Sequence, residues 1–127
     1  MLDPGAAREE PEDLAAVWSA ARTAGADPGV VDDVTVAVLA RARLWRRRGV
    51  PIARRRLVAD AVREVVALSP APPFDRLALA ERESVALARC AGLGVSEIAT
   101  LLKIDASVVR ARMRDGLRRI VCRTASR

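Results

Sequence analysis

The sequence predicts an all-α protein, made of two small helical units that are joined by a short Pro-rich linker. Three observations favour this class. Hydrophobic residues make up 51% of the 127 residues but aromatic residues only 2%, so the core must be aliphatic. The apolar residues recur every three or four positions, which is the spacing of a helix rather than of a strand. The segment Ser69–Phe74 has three prolines in six residues and interrupts this pattern.

The N-terminal unit is expected at residues 11–68 and contains three helical patterns. A tail at residues 1–10 precedes the first helix, which begins near Pro11 because proline fits the first turn of a helix. Gly25 and the turn residues after it end this helix. The second helix ends where a Gly-Val-Pro sequence prevents continuation. The expected helix bounds are therefore 11–25, 30–47 and 52–66.

The C-terminal unit follows the linker at residues 69–74 and is expected at residues 75–122. Gly92 and Gly94 permit a tight reversal after its first helix, and Asp105 is a suitable N-cap for its last. The expected helix bounds are 75–91, 95–102 and 106–122. The residues expected to face the core from the first and last of these helices are Leu77, Leu79, Val85, Leu87, Val109, Met113, Leu117 and Ile120.

The net charge of +6 is unevenly distributed along the chain. Residues 1–36 have eight acidic residues and two arginines, whereas the segment RARLWRRRGVPIARRR, Arg41–Arg56, has eight arginines and no acid. Such a run of like charge favours contact with a polyanion, and a solvated surface is the alternative. The acidic stretch at residues 1–33 is expected to shield this arginine cluster in the free protein.

The residue types exclude several classes of function. The chain has no His, no nucleophile beside a base and no Gly-rich phosphate loop, so we expect no enzymatic activity, metal site or cofactor. Cys90 and Cys122 stand alone inside apolar helical patterns and are expected to be buried thiols in a reducing cytosol. No apolar run approaches the ~18 residues that a membrane span requires. A cytoplasmic protein without membrane contact is therefore expected.

The segment GLGVSEIATLLKIDASVVRARMRDGLRRI, Gly92–Ile120, is typical of a helix-turn-helix. Three residues join two short helices, and the small Ala99 lies where the second helix must cross the first. Ile104 can fill the interface between them. The second helix has apolar residues on one side and arginines on the other, which favours binding in the major groove of DNA. The alternative is a three-helix core whose last helix has an ordinary solvated arginine face.

The longer segment LALAERESVALARCAGLGVSEIATLLKIDASVVRARMRDGLRRI, Leu77–Ile120, resembles region 4 of bacterial RNA polymerase sigma factors, especially the extracytoplasmic-function type. Lys103 stands where this family has a turn glycine, so a positive φ with some backbone strain is expected there. The positions that carry the resemblance are Leu79, Val85, Gly92, Leu93, Glu97, Ile98, Ala99, Leu102, Ile104, Val109, Arg110, Arg112 and Leu117.

This resemblance implies that the second helix of the helix-turn-helix contacts promoter DNA of the minus-thirty-five type. Arg110, Arg112 and Arg114, with Ser107 near the helix start, are the central residues of that expectation. The complete set of expected DNA-contacting residues is Ser107, Val108, Arg110, Ala111, Arg112, Arg114 and Arg118.

The segment ARTAGADPGVVDDVTVAVLARAR, Ala21–Arg43, is similar to region 2 of the same family. The resemblance implies that core RNA polymerase is a partner, and that an anti-sigma or sigma protein is a further one. Family members have a polar Gln-Glu pair where this chain has Val36-Ala37, and they have more aromatic residues for trapping unstacked bases. The residues implied in polymerase contact are Asp32, Asp33, Val36, Ala37 and Arg41.

Three hypotheses about function follow from the sequence. The first is a small, divergent sigma-like factor that directs RNA polymerase to promoters. The second is a sigma-derived helix-turn-helix regulator that binds DNA without initiating transcription, which the scarcity of aromatic residues favours. The third is a protein-interaction module. Salt-dependent DNA affinity separates the third from the others, and co-purification with polymerase separates the first from the second.

Overall fold

The computed structural model describes the backbone of residues 4–125 and the side chains of residues 10–122. Within these residues the chain forms six α-helices and a single 3-10 turn, and it forms no strand. The predicted all-α class is thereby confirmed. The helices are α1 (Pro4–Ala24), α2 (Pro28–Arg47), α3 (Arg54–Leu68), α4 (Leu79–Cys90), α5 (Val95–Leu102) and α6 (Ala106–Ala125), and the 3-10 turn is Phe74–Arg76.

Helix α3 lies at the centre of the fold and packs against α1, α2 and α4. One side of it is entirely apolar, and Ala61, Val62, Val65 and Val66 have no solvent exposure. These residues meet Val17 and Ala21 of α1 and Val34 and Val38 of α2 in the same hydrophobic core. Burial of this aliphatic surface is the main force that holds the first three helices together.

Helix α1 begins at Pro4, so the predicted tail at residues 1–10 and the predicted start at Pro11 are wrong over residues 4–10. Pro11 lies inside the helix, where it removes one backbone hydrogen bond. Ion pairs on both sides of this proline hold the segment: Glu10 contacts Arg43 and Asp13 contacts Arg46. The helix therefore continues through Pro11, although proline is typical of the first turn of a helix.

Gly25 allows α1 to approach α2 and α3 closely. A Cβ atom at Gly25 would lie 2.3 Å from Cγ1 of Val65 and 2.8 Å from Cγ2 of Val31. Both distances are far shorter than a van der Waals contact. The glycine is therefore required by packing at the point where the chain turns from α1 towards α2.

The Pro-rich segment is fixed onto the end of α1. The amide of Ala26 donates to the carbonyl of Ser69, and the amide of Ala71 donates to the carbonyl of Ala24, both at 2.8 Å. Phe74 is buried in the common core. Because α3 also packs against α4, residues from both halves of the chain form one continuous hydrophobic cluster. The division at residues 69–74 into two units therefore stays a prediction.

Helix α4 begins at Leu79 instead of residue 75, because Arg82 organises the chain before it. Its guanidinium donates to the carbonyls of Val66, Phe74 and Leu77 at 2.9 to 3.1 Å. The predicted core residues Leu77, Val85 and Leu87 are buried, as expected, whereas Leu79 is exposed.

Helix α6 crosses α4 at Gly116. A Cβ atom there would lie 3.0 Å from Cγ2 of Val85, so the absence of a side chain sets the distance between the two helices. Val109 is fully buried and Met113 and Ile120 pack against the core, as predicted. Leu117 was predicted to face inward, but it is exposed. It lies beside the line along which α6 packs on α4, which passes through Gly116.

Over the described residues, no helix combines the length and the apolar character that crossing a membrane would require.

Candidate nucleic-acid interface

Helices α5 and α6 are connected by the three residues Lys103, Ile104 and Asp105. Lys103 has φ 57° and ψ 47°, the left-handed conformation that was expected at this position. Its amide and that of Ile104 both donate to the carbonyl of Ala99, which closes the turn. Ile104 packs against the core. The sharp turn between α5 and α6 is therefore formed without glycine.

Asp105 precedes α6, as a capping residue should. Its backbone carbonyl accepts from the amides of Val108 at 3.0 Å and Val109 at 3.2 Å. No side-chain hydrogen bond of Asp105 occurs within the part of the chain that the structure describes. The first turn of α6 is thus closed by the backbone of Asp105, whereas the prediction was a side-chain cap.

The start of α5 is fixed by Glu97. Its carboxylate accepts from the amide of Gly94 at 3.2 Å and forms a two-point ion pair with the guanidinium of Arg55 in α3. Arg55 also donates to the carbonyl of Gly92 at 3.0 Å. The hydrogen bond from Arg55, and secondly that from Gly94, hold the pKa of Glu97 below its usual range. This contact ties the helix-turn-helix to the N-terminal helices.

Five of the seven residues that were predicted to contact DNA lie on one side of α6. Arg110, Arg114 and Arg118 follow each other at four-residue spacing and form a stripe along the outer surface. Ser107 and Ala111 flank this stripe on the same side. All five are solvent-accessible, and only Ala111 is partly covered. We call the residues Ser107, Arg110, Ala111, Arg114 and Arg118 the outer face of α6.

The other two predicted residues are not part of the outer face. Val108 and Arg112 are offset by two positions from the arginine stripe, which rotates them by about 200° around the helix. Val108 is 38% exposed and Arg112 is half-buried. The structure thus separates Arg112 from Arg110 and Arg114, with which it was grouped in the sequence prediction.

The outer face of α6 is electrostatically open. Among the described residues, Arg110 and Arg118 make no ion pair, and Arg114 has only its chain neighbour Asp115 at 3.6 Å. Arg119 points to the opposite side, where it contacts the buried carboxylate of Glu81 at 3.3 Å. The stripe therefore presents guanidinium groups that are available to an external anion.

The arginine cluster Arg41–Arg56 has a different environment, because six of its eight members form ion pairs with acids of the same molecule. The most buried acid is Asp13, which contacts Arg46 at 2.8 Å and Arg54 at 2.7 Å. Four of these pairs involve acids of α1, which lies within the acidic stretch that was predicted to shield the cluster. The remaining contacts are Arg43–Glu10, Arg54–Glu12, Arg41–Glu64, Arg55–Glu97 and Arg56–Asp60.

The residues that were predicted to contact polymerase all lie exposed on α2. Asp32 accepts a hydrogen bond from the indole of Trp18 at 3.1 Å, and Arg41 pairs with Glu64. Val36 is 67% exposed, the highest value among the large apolar residues of α2. The structure therefore places Asp33, Val36 and Ala37 on the outward side of α2, whereas Asp32 and Arg41 lie on its two flanks and contact α1 and α3.

Trp45 is a candidate residue that the sequence analysis did not select. Its ring is exposed at the end of α2, one helical turn from Arg41 and from Arg48, which has no ion pair among the described side chains. An exposed indole beside arginine can stack on an unpaired base. The signal in the sequence is an aromatic residue directly followed by three arginines.

The two cysteines differ in environment. Cys90 was predicted to be buried and is half-buried, and this burial raises the pKa of its thiol. Cys122 is exposed, so its predicted burial is wrong, because it lies beyond the part of α6 that packs on α4. Over the described residues no cluster of His, Cys, Asp or Glu could hold a metal ion.

Comparison with known proteins identifies no relative of this chain: no family model matches it, and no curated protein or solved structure matches it significantly.

Proposed function

We propose that this chain is a DNA-binding transcription factor of the sigma-like type, which contacts promoter DNA through α6. The observation that supports the proposal most strongly is the outer face of α6, where Arg110 and Arg118 have no acidic partner among the described residues. This face belongs to a helix whose opposite side is anchored by the buried Val109. A helix that is held in this way can enter the major groove without leaving the core.

The chemistry of the outer face suits both parts of DNA recognition. Arginine contacts phosphate oxygens, and it also reads the guanine edge with two hydrogen bonds. Ser107 lies in the first turn of α6, from which recognition helices contact base edges. Arg118 lies about three helical turns after Ser107, so the outer face of α6 extends over about 16 Å of groove.

Within this proposal, core RNA polymerase binds the exposed side of α2 that contains Asp32, Asp33, Val36, Ala37 and Arg41. An anti-sigma or sigma protein is a further partner for this side. The site of action is the cytoplasm, where promoter DNA and polymerase are found. No enzymatic activity, metal or cofactor is part of the proposal.

The alternative is a regulator that binds DNA without opening it, and the environment of the aromatic residues favours it. Phe74 is buried, and Trp18 is engaged by Asp32 and by the guanidinium of Arg22, 5.0 Å from its ring centroid. Only Trp45 of the three aromatic residues has a free ring face among the described residues. Because trapping of unstacked bases depends on such rings, strand opening would depend on this single residue.

The test of DNA binding is fluorescence anisotropy with promoter-like duplexes over a series of salt concentrations. We expect Arg110→Ala, Arg114→Ala and Arg118→Ala each to weaken binding by about 5- to 100-fold and to lower the salt slope by about one. Arg56→Ala is the matched control, because the charge of Arg56 is already balanced by Asp60. Equal losses in the control, or no salt-dependent binding by the unchanged protein, would contradict the proposal.

The test of the sigma-like role is co-purification with core polymerase, followed by transcription from a matched promoter. The proposal predicts a stable complex that Val36→Glu disrupts while DNA affinity remains unchanged. Trp45→Ala then reports on strand opening, since it should lower transcription from a duplex promoter more than from one that is already melted. DNA binding without a polymerase complex would establish the regulator instead.

A further inference from the structure

The outer side of α2 has a narrow stripe that the rest of the molecule leaves uncovered. The arginines beside it turn away in opposite directions: Arg43 contacts Glu10 of α1, and Arg41 contacts Glu64 of α3. Between these two contacts, residues at helical spacing face solvent. We call this set the α2 stripe; it consists of Asp33, Val36, Ala37, Ala40, Leu44 and Arg47.

The centre of the α2 stripe is apolar. Val36 is 67% and Leu44 is 48% exposed, which is unusual for large aliphatic side chains on one helix face. Ala37 and Ala40 lie between them, and their small side chains allow a second helix to come close. Beside Val36 and Ala40 a groove of about 550 Å³ separates α2 from Leu14 of α1.

The ends of the α2 stripe have opposite charge. Asp33 lies near the N-terminus of α2 and Arg47 lies at its C-terminus, and neither has an ion pair among the described residues. A parallel helix with the same sequence would place like charges opposite each other. An antiparallel copy would place Asp33 opposite Arg47, Val36 opposite Leu44 and Ala40 opposite itself. The stripe is therefore complementary to its own antiparallel copy.

We propose that the free protein forms a two-fold symmetric homodimer in which the α2 stripes of two copies pack antiparallel. By symmetry the Asp33–Arg47 pair forms twice, at the two ends of an apolar contact. The stripe includes three of the residues proposed to contact polymerase, so dimer formation and polymerase binding exclude each other. The dimer also presents two α6 helices, which suits DNA with two-fold related half-sites.

The experiment is sedimentation velocity of the full-length chain over a range of protein concentrations. The unchanged protein should sediment as a species with twice the 13.6 kDa mass of one chain. Asp33→Arg and Arg47→Asp should each raise the dimer dissociation constant by at least about 30-fold, because like charges then meet twice. The double variant Asp33→Arg/Arg47→Asp should restore the dimer, since both pairs are re-formed with reversed sign.

Two further variants separate this inference from effects on folding. Ala40→Glu places two like charges on the symmetry axis and should also give monomers, whereas Arg89→Asp, an equal charge reversal on the exposed part of α4, should remain dimeric. Far-UV circular dichroism and the melting temperature show whether each variant is folded. Monomeric unchanged protein at all concentrations would overturn the proposal, as would failure of the double variant to restore the dimer. A monomer that binds core polymerase through Asp33 would assign the stripe to polymerase instead.

Discussion

Two surfaces of this molecule are rich in arginine, the cluster Arg41–Arg56 and the outer face of α6, and they differ in what lies opposite the guanidinium groups. In the cluster, six of eight arginines contact a carboxylate of the same chain. On the outer face, Arg110 and Arg118 face solvent without an acidic partner among the described residues. Two arginine-rich surfaces thus have different environments, and only the tertiary contacts distinguish them.

This difference in acidic partners shows that a run of arginines is not by itself a binding surface. The cluster holds α2 and α3 onto α1 through acids that lie 33 to 42 residues away in the sequence, and Arg41 joins α2 to Glu64 of α3. Most of its charge therefore contributes to folding instead of to recognition. The outer face of α6 contributes little to the core, and no other described residue covers its arginines.

The largest effect is expected at Asp13, the acid that two arginines of the cluster share. Asp13 is 1% exposed, and Asp13→Asn would leave Arg46 in a largely buried site without its counter-charge. We expect the free energy of unfolding to fall by about 3 kcal/mol, which denaturant titration measures. Glu12→Gln is the control and should change stability far less, because Glu12 and Arg54 are both exposed. A stable Asp13→Asn protein would mean that the cluster is not structural.

An intermediate effect is expected when arginines of the cluster are released without disturbing Asp13. Glu10→Gln/Glu12→Gln frees Arg43 and one contact of Arg54 at exposed positions. DNA affinity at low salt should rise by about 2- to 5-fold, the value of an exposed ion pair, and the salt slope should steepen by up to about 0.9 for each new phosphate contact. Fluorescence anisotropy gives both quantities.

The control for this experiment is Asp75→Asn, which removes an exposed acid without releasing an arginine. If the double variant and the control bind DNA with the affinity of the unchanged protein, the cluster does not face DNA. Deletion of residues 1–13 would test the same idea less well, because it would also remove Asp13 and its contacts with Arg46 and Arg54.

The smallest effect is expected at the ion pair between Arg55 and Glu97, which links the cluster to the helix-turn-helix. The pKa of Glu97 is lowered in the folded protein. Its contribution to stability is therefore present above the pKa of the unfolded chain and is lost as the pH falls through the lower, folded value. Arg55→Gln should reduce the melting temperature near pH 7, and its effect should diminish as the pH falls through the lowered pKa of Glu97, because the carboxyl is then protonated in both proteins.

The measurement for Glu97 is the melting temperature as a function of pH for both proteins. Arg56→Gln provides a matched change in the neighbouring i, i+4 pair with Asp60. The melting temperatures of the unchanged protein and the Arg55 variant should converge in acid if the lowered pKa of Glu97 is the cause. Parallel curves at all pH values would show that Arg55 acts through its hydrogen bond to the carbonyl of Gly92 instead.

Local signals in the sequence predicted the bounds of α5 and the start of α6 correctly. The bounds of α5 are those expected from spacing alone, and α6 begins at the expected residue. The left-handed turn at Lys103 was expected from the resemblance, because Lys103 stands where the sigma family has a turn glycine. These features depend on residues that are close in sequence, where periodicity and turn chemistry are informative.

Features that depend on distant residues could not be predicted in this way. The start of α1 before Pro11 depends on partners in α2, and the late start of α4 depends on Arg82 reaching back to Val66. Helical spacing could have separated Arg112 from Arg110 and Arg114, but the run of alternating arginines was treated as one group. Leu79 and Leu117 are exposed because α4 and α6 pack against their neighbours through other faces. The orientation of a helix in the folded protein cannot be predicted from its spacing alone.

The contacts of Arg82 have a consequence for how the molecule can lie on DNA. One guanidinium joins the end of α3, the Pro-rich segment and the start of α4, so the orientation of α6 relative to α2 is fixed. A flexible connector would let two contact regions adjust to spacers of different length, and this chain has none between its halves. We therefore expect nuclease footprinting to show one short, uninterrupted protected tract in each bound half-site, with the same offset at every promoter.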